Sequence, residues 1–181
     1  ESPKGVVLFA HGGGWISGYR RQPNNVSWYR YLVGKGFIVA TIDYSRGYRA
    51  GIEKLIDELL EAVEYLSKRL KELGIDERIS LMGLSAGAHL ALLSASRIPD
   101  KIKCVVSYYA PCDLMDIWKA PSLFARFSVV TTLKRLPGRS KEIYEKYSPI
   151  NNVSSNFPPT LLVHGLKDQM VPYTSAVKMF K

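Results

Sequence analysis

The chain has 181 residues, 46% of them hydrophobic, and a formal charge of +9 from 25 Lys and Arg against 16 Asp and Glu. That size and apolar fraction suit one globular domain over residues 1–181 with a core of its own. No apolar run approaches the roughly 18 residues of a membrane span, no signal-peptide pattern opens the sequence, and no internal repeat is present.

The charge excess does not point to nucleic acid. Basic residues mix with acids along most of the chain, only Lys134, Arg135, Arg139 and Lys141 cluster, and no recognition motif accompanies them. The two cysteines, Cys104 and Cys112, lie at the ends of one extended stretch, about 26 Å apart if it is a strand rising roughly 3.3 Å per residue. That is far beyond disulfide reach, and two free thiols point to a reducing, cytoplasmic location.

In chain order, residues 6–10 read as a buried strand and 25–34 as a short helix closed by glycine. Residues 37–44, FIVATIDY, read as a second strand dense in β-branched residues. Across 52–73, apolar residues at 52, 55, 56, 59, 63, 66, 70 and 73 mark an amphipathic helix, with Gly74 at its C-terminal cap. A third strand over 78–84, a helix over 86–97, a fourth strand over 103–110 and a fifth over 160–164 follow. Strands alternating with helices predict an α/β fold, a mostly parallel sheet with helices on both faces.

Nearly fifty residues separate the fourth and fifth strands, where a crossover needs about a dozen. The insert, 113–148, holds Trp118, Phe124 and Phe127. It is either an extra helix pair covering the sheet or a lid forming one wall of an apolar pocket.

Three segments carry chemistry. At the end of the third strand the chain reads LMGLSAGAHLAL, with Gly83 and Gly87 two residues either side of Ser85. A nucleophile on a sharp strand-to-helix turn needs small neighbours, and the helix that follows aims its free N–H groups at the reacting centre. The bland alternative is a structural turn.

After the first strand comes His11-Gly12-Gly13-Gly14-Trp15. Successive glycines let a loop fold its amides inward with no β-carbon in the way, as an oxyanion hole requires. A phosphate loop would carry the Lys and Ser/Thr of G-x-x-x-x-G-K-[ST], which are missing. In LLVHGLKDQMVP, Asp168 stands just past the fifth strand, where a carboxylate can orient an imidazole or simply face solvent.

Together His-Gly-Gly-Gly-Trp, Gly-x-Ser-Ala-Gly and His-Gly-x-x-Asp-x-x-Val-Pro resemble the α/β-hydrolase superfamily. The likeness is to its esterase and lipase branch with an HGGG loop, the hormone-sensitive-lipase-like and related carboxylesterases. The resemblance implies Ser85 as nucleophile, Asp168 as triad acid, and the N–H groups of Gly13, Gly14 and Ala86 as the oxyanion hole. It also implies a sheet with the second strand at one edge beside the first, then the third, fourth and fifth. Two departures stand out: Asp43-Tyr44-Ser45 where the family often has Asp-Tyr-Arg, and Ala88 after the elbow where a further glycine is common.

The expected activity is a serine hydrolase cleaving small or medium carboxylic esters through an acyl-enzyme, with no cofactor and no metal. The alternatives are an amidase, aryl formamidase or peptidase on the same fold, or a catalytically dead binding domain. A triad also needs a histidine, which in this superfamily follows the acid, and none follows Asp168. His11 reads as a support for the glycine loop and His89 as a packed or loop-bonding residue; His164 ends its strand where the family has a structural histidine, and is the best of three poor substitutes for the base. The expectation is therefore that the 181 residues are part of a longer enzyme.

Overall fold

The strands of this chain read as near-continuous apolar runs, which suits a parallel sheet covered on both faces. A computed structural model describes residues 3–181 and shows that sheet. Its strands are β1 (Val6–Ala10), β2 (Ile38–Thr41), β3 (Ile79–Leu84), β4 (Ile102–Tyr108) and β5 (Thr160–Val163). All pairings are parallel, in the order β2-β1-β3-β4-β5, which is the order the resemblance implies.

The helices are α1 (Pro23–Gly34), α2 (Gly47–Ala50), α3 (Ile52–Glu72), α4 (Ala86–Arg97), α5 (Leu114–Lys119), α6 (Leu123–Leu133), α7 (Lys141–Lys146) and α8 (Thr174–Phe180).

Side chains alternate across a strand, so β1 feeds two cores. Val6, Leu8 and Ala10 join the larger cluster with α3, α4 and the insert, while Val7 and Phe9 pack with Met82 and Leu84 beneath α1. The apolar face of α3 buries Ile52, Leu55, Ile56, Leu59, Val63 and Leu70. Leu73, grouped with that face by its spacing, is instead 68% exposed as the helix ends. There Gly74 takes φ +68° and the Ile75 N–H bonds back to the Leu70 carbonyl at 2.9 Å, a glycine-closed C-terminus.

The second strand is shorter than its β-branched composition predicts, four residues rather than eight. Beyond Thr41 the chain leaves the sheet because its side chains are engaged elsewhere. Asp43 Oδ1 accepts from the Arg20 N–H at 2.6 Å, and the buried Tyr44 ring stacks on His11 while its hydroxyl donates to the His11 carbonyl at 2.6 Å. The fourth strand likewise stops at Tyr108, since Tyr109 turns to φ +41°.

The segment between β4 and β5 is helical. Asp113 caps α5 by accepting from Met115 N, and Ser122 caps α6 by accepting from Ala125 N. Trp118 packs against the main core, Phe127 faces solvent, and Phe124 lines a space at the C-terminal edge of the sheet that Ser85 also lines. Both cysteines are unpaired.

Candidate active site

In an open parallel sheet, ligands bind outside the carboxyl ends of the strands. Here the loops leaving β1, β3, β4 and β5 meet at that edge around a cavity of about 350 Å³. Its walls include Gly12, Gly13 and Gly14 after β1, Ser85 after β3, Tyr109 after β4, and Asp168, Met170 and Val171 after β5. Four of the five residues the sequence singles out, Gly13, Gly14, Ser85 and Asp168, line this one cavity. The fifth, Ala86, is the first residue of α4, where helix geometry leaves the N–H without an intrahelical partner.

Ser85 sits at φ +51°, ψ −119°, a combination that L-residues rarely adopt. Its N–H is fixed by the Tyr108 carbonyl at 2.9 Å, and its carbonyl accepts the first bond of α4, from His89 N at 3.0 Å. The flanking glycines are there for room rather than for φ. A β-carbon on Gly83 would lie 2.4 Å from Ala88 N, and one on Gly87 would lie 2.2 Å from the Ala10 carbonyl oxygen. The elbow is therefore wedged against both its own helix and β1.

The glycine loop folds onto this elbow. A β-carbon on Gly12 would sit 3.6 Å from Ser85 Cβ and 3.1 Å from the Leu84 carbonyl oxygen. Gly13 and Gly14 both take positive φ, and the Gly13 carbonyl is turned back into the loop, accepting from Ile16 N, Ser17 N and Ser17 Oγ. The loop is braced from outside by Arg46. Its guanidinium donates to the Ser17 carbonyl at 2.9 Å and to the Gly18 carbonyl, while Gly47 N donates to the Trp15 carbonyl at 2.9 Å. The arginine expected after Asp-Tyr thus stands one place later, and Ser45 instead bonds Glu58 through its N–H and Oγ.

Asp168 is held by its own loop, with Oδ1 accepting from Met170 N at 2.8 Å and Val171 N at 2.9 Å. Burial, with the nearby Asp168 carboxylate adding to it, pushes the Tyr109 phenol above its usual range.

None of the three histidines lines the cavity. His11 is buried under Tyr44 with Nδ1 bonded to the Gly12 carbonyl at 2.7 Å, and burial holds its pKa below the usual value. His89 is fully buried, and desolvation lowers its pKa to about 4. Trp15 Nε1 can only donate and the Tyr147 carbonyl can only accept, so Nδ1 of His89 is bare and Nε2 carries the proton. His164 Nε2 lies 2.7 Å from the Val171 carbonyl and so carries a proton too, with Asp168 Oδ2 at 3.7 Å. Each ring thus has at least one nitrogen engaged by a neighbouring residue, while His11 Nε2 and His164 Nδ1 are buried without a hydrogen-bond partner.

Among the described residues no cluster of three His, Cys, Asp or Glu could hold a metal ion, and no helix is long and apolar enough to cross a membrane. Phe124, one of the insert's aromatics, also lines the cavity, as do Tyr109, Met170, Gln22 and Asn24, which the sequence does not single out. For Tyr109 a signal existed: it follows the carboxyl end of a central strand.

A family model, BD-FAE, matches residues 1–181. Isoprenylcysteine alpha-carbonyl methylesterase ICME of Arabidopsis thaliana is 26% identical over 188 aligned positions, which cover 93% of this chain and 44% of that protein. Esterase LipC of Mycobacterium tuberculosis is 26% identical over 189, covering 96% of this chain and 47% of its own. The chain thus spans less than half the length of these relatives.

Among solved structures, a truncated form of a carbohydrate esterase from gut microbiota superposes with a TM-score of 0.85 at 21% identity, covering 99% of this chain and 72% of that one. An acetyl ester-xyloside bifunctional hydrolase from Caldicellulosiruptor lactoaceticus gives 0.81 at 21%, covering 99% and 67%. These likenesses establish an α/β-hydrolase core. A match that runs through all 181 residues makes the assignment plain: the chain belongs to the BD-FAE family.

Proposed function

We propose that this chain carries the nucleophile, oxyanion hole and triad acid of a serine hydrolase acting on small or medium carboxylic esters. One observation carries the reading. Ser85 holds a strained backbone at a strand-to-helix turn, directly against a glycine loop and in the same cavity as Asp168. Strain of this kind persists only where the surroundings enforce it, and it concentrates at working sites.

In this reading Ser85 Oγ attacks the ester carbonyl, and its proton passes to an imidazole. The carbonyl oxygen becomes an oxyanion held by the N–H groups of Gly13, Gly14 and Ala86. The imidazole returns the proton to the departing alcohol oxygen, leaving an acyl-Ser85 ester. Water, deprotonated by the same base, then splits that ester and restores the hydroxyl. Asp168 orients the imidazole and stabilises its charged form. No histidine of the described residues lines the cavity, so the reading takes the base from outside these 181 residues. The esterase names of the curated relatives support the reaction class.

The test uses the full-length protein and an activated short-chain ester. Ser85-dependent turnover is expected, with loss of about 10⁶ in kcat on Ser85→Ala, as removal of the nucleophile alone costs in subtilisin. Equal turnover by the variant sinks the reading, and labelling of Ser85 by a fluorophosphonate is the independent check.

A further inference from the structure

Next to the main cavity, and sharing Gly14, Ser85, Phe124, Met170 and Val171 with it, lies a recess of about 20 Å³, space for roughly one water-sized group. Its walls are almost wholly apolar, among them Trp15, Ile117, Phe124, Ala125 and Val171. One wall is different. Ser128, on α6, is 0% exposed, and its hydroxyl has no hydrogen-bond partner. Among the described residues three other buried Ser and Thr hydroxyls also lack partners, Ser94, Ser107 and Thr132, but only Ser128 lines the space around Ser85.

A buried hydroxyl left unpaired costs free energy on the order of 1–3 kcal/mol, so its retention next to a reacting centre asks for a ligand atom. Geometry says which part of a ligand reaches it. Gly14 borders both the main cavity and the recess, and Ser128 Oγ lies 2.8 Å from where a β-carbon on Gly14 would stand. Because Ser85 and Gly14 line both spaces, an acyl group on Ser85 with its oxygen toward the glycine amides can turn its α-carbon toward the recess. A single substituent on that carbon then points past Gly14 toward α6.

We propose that the recess receives the α-substituent of the acyl group and that Ser128 Oγ hydrogen-bonds it, so that short α-hydroxyacyl esters are the favoured acyl donors. The inference rests on the ester-hydrolase reading above. A hydroxyl can donate or accept, so either partner satisfies the other, whereas a methyl of the same size leaves Ser128 unpaired. Longer acyl chains exceed the space.

The experiment compares glycolyl, propionyl and acetyl esters of one fluorogenic alcohol on the full-length protein. Glycolyl and propionyl groups are nearly equal in size and differ by hydroxyl for methyl. Ser128→Ala is expected to lower the glycolyl-to-propionyl ratio of kcat/KM by about fivefold, the worth of one neutral hydrogen bond. Taking the ratio between variants cancels the intrinsic reactivity of the esters. Ala125→Val, one turn earlier on α6 and also on the recess wall, fills the space without touching the hydroxyl. It should depress both glycolyl and propionyl turnover relative to acetyl by about tenfold.

A folded Ser128→Ala enzyme with Ser85-dependent turnover and an unchanged ratio overturns the role of the hydroxyl. Should that variant fail to fold, Ala125→Val decides: unchanged ratios to acetyl overturn the placement of the acyl group. Absence of any Ser85-dependent turnover in the parent protein overturns the esterase reading itself, and this inference falls with it.

Discussion

A β-carbon on Gly87 would lie 2.2 Å from the carbonyl oxygen of Ala10 and 2.4 Å from that of His11. The helix that follows Ser85 thus rests directly on the end of the strand that supplies the glycine loop. The two halves of the site are registered against each other by backbone contact, with no side chain between them. Only glycine permits that approach, and its φ is ordinary, so space is the whole reason.

Gly87→Ala is therefore expected to push α4 off β1. Overpacking costs about 1–3 kcal/mol in a close-packed interior, and here both neighbours are backbone that cannot swing away. The full-length variant should show a lowered midpoint in chemical denaturation, and kcat should fall by more than stability alone explains. A variant of parental stability and activity would mean the helix is free to shift.

Arg46 offers a test of the loop rather than the elbow. It touches neither Ser85 nor the cavity, yet its guanidinium holds the carbonyls of Ser17 and Gly18. Gly18 has little freedom of its own, since a β-carbon there would sit 2.1 Å from the Gly12 carbonyl oxygen. Arg46→Ala should cost up to about 10²-fold in kcat with KM little changed, the scale of an ångström-sized displacement of a positioning element. Arg46→Lys should recover only part of this, because one ammonium cannot reproduce the two-pronged donation. A KM effect alone would mark Arg46 as a substrate contact instead.

Much of this arrangement was legible in the residues, and the reason is the same at each legible point. The triple glycine and the Gly83-x-Ser85-x-Gly87 spacing record places where backbone must approach backbone, and such demands leave few residue choices. The strand order followed from the likeness those motifs carry. Strand ends were less legible. Asp43 and Tyr44 have the composition of a strand but are drawn off by Arg20 and His11, partners far away in sequence. Arg46 is not legible because the Asp-Tyr-Arg pattern is shifted by one, and a guanidinium reaching two carbonyls has no sequence spacing of its own. Phe124 can be named only alongside Trp118 and Phe127, since nothing local separates the ring that lines the space around Ser85 from the exposed Phe127.

Asp168 has a turn-forming role that has to be separated from a chemical one. Its Oδ1 caps the loop by accepting from Met170 N and Val171 N. In Asp168→Asn the amide oxygen can still take both bonds, so the fold should survive with its stability changed by less than about 1 kcal/mol. Activity should nevertheless drop by about 10⁴, as when the acid of a serine triad becomes an amide and the imidazole, still in place, is held in the wrong tautomer. Loss of stability in step with activity would assign Asp168 to the turn alone.

The last prediction concerns acid. His89 links three parts of the site region: it opens its ring nitrogens to Trp15 of the glycine loop and to the Tyr147 carbonyl at the end of the insert, from a seat inside α4. Burial holds its pKa at about 4, against an ordinary value of 6.5. The unfolded chain therefore takes up a proton near pH 6.5 that the folded chain refuses until about pH 4. In that window the unfolded state binds more protons, so stability rises with pH and falls as acid is added. The contribution is complete above pH 6.5 and is lost progressively on the way down to pH 4. Between pH 8 and pH 5 the loss is about 2 kcal/mol for this one group. His11, also lowered by burial, adds in the same direction. Glu53 acts elsewhere on the scale. Despite the opposing effect of desolvation, hydrogen bonds from Tyr147, Arg97 and Lys146 keep its carboxyl below 4.5, and it loses its contribution only below that. Urea midpoints of the full-length protein measured from pH 8 to pH 5 should decline, and His89→Gln should flatten that decline. Glutamine can still donate to the Tyr147 carbonyl but cannot titrate. The variant should be less stable than the parent at pH 8 and closer to it at pH 5, and an unchanged slope would show that the acid sensitivity arises elsewhere.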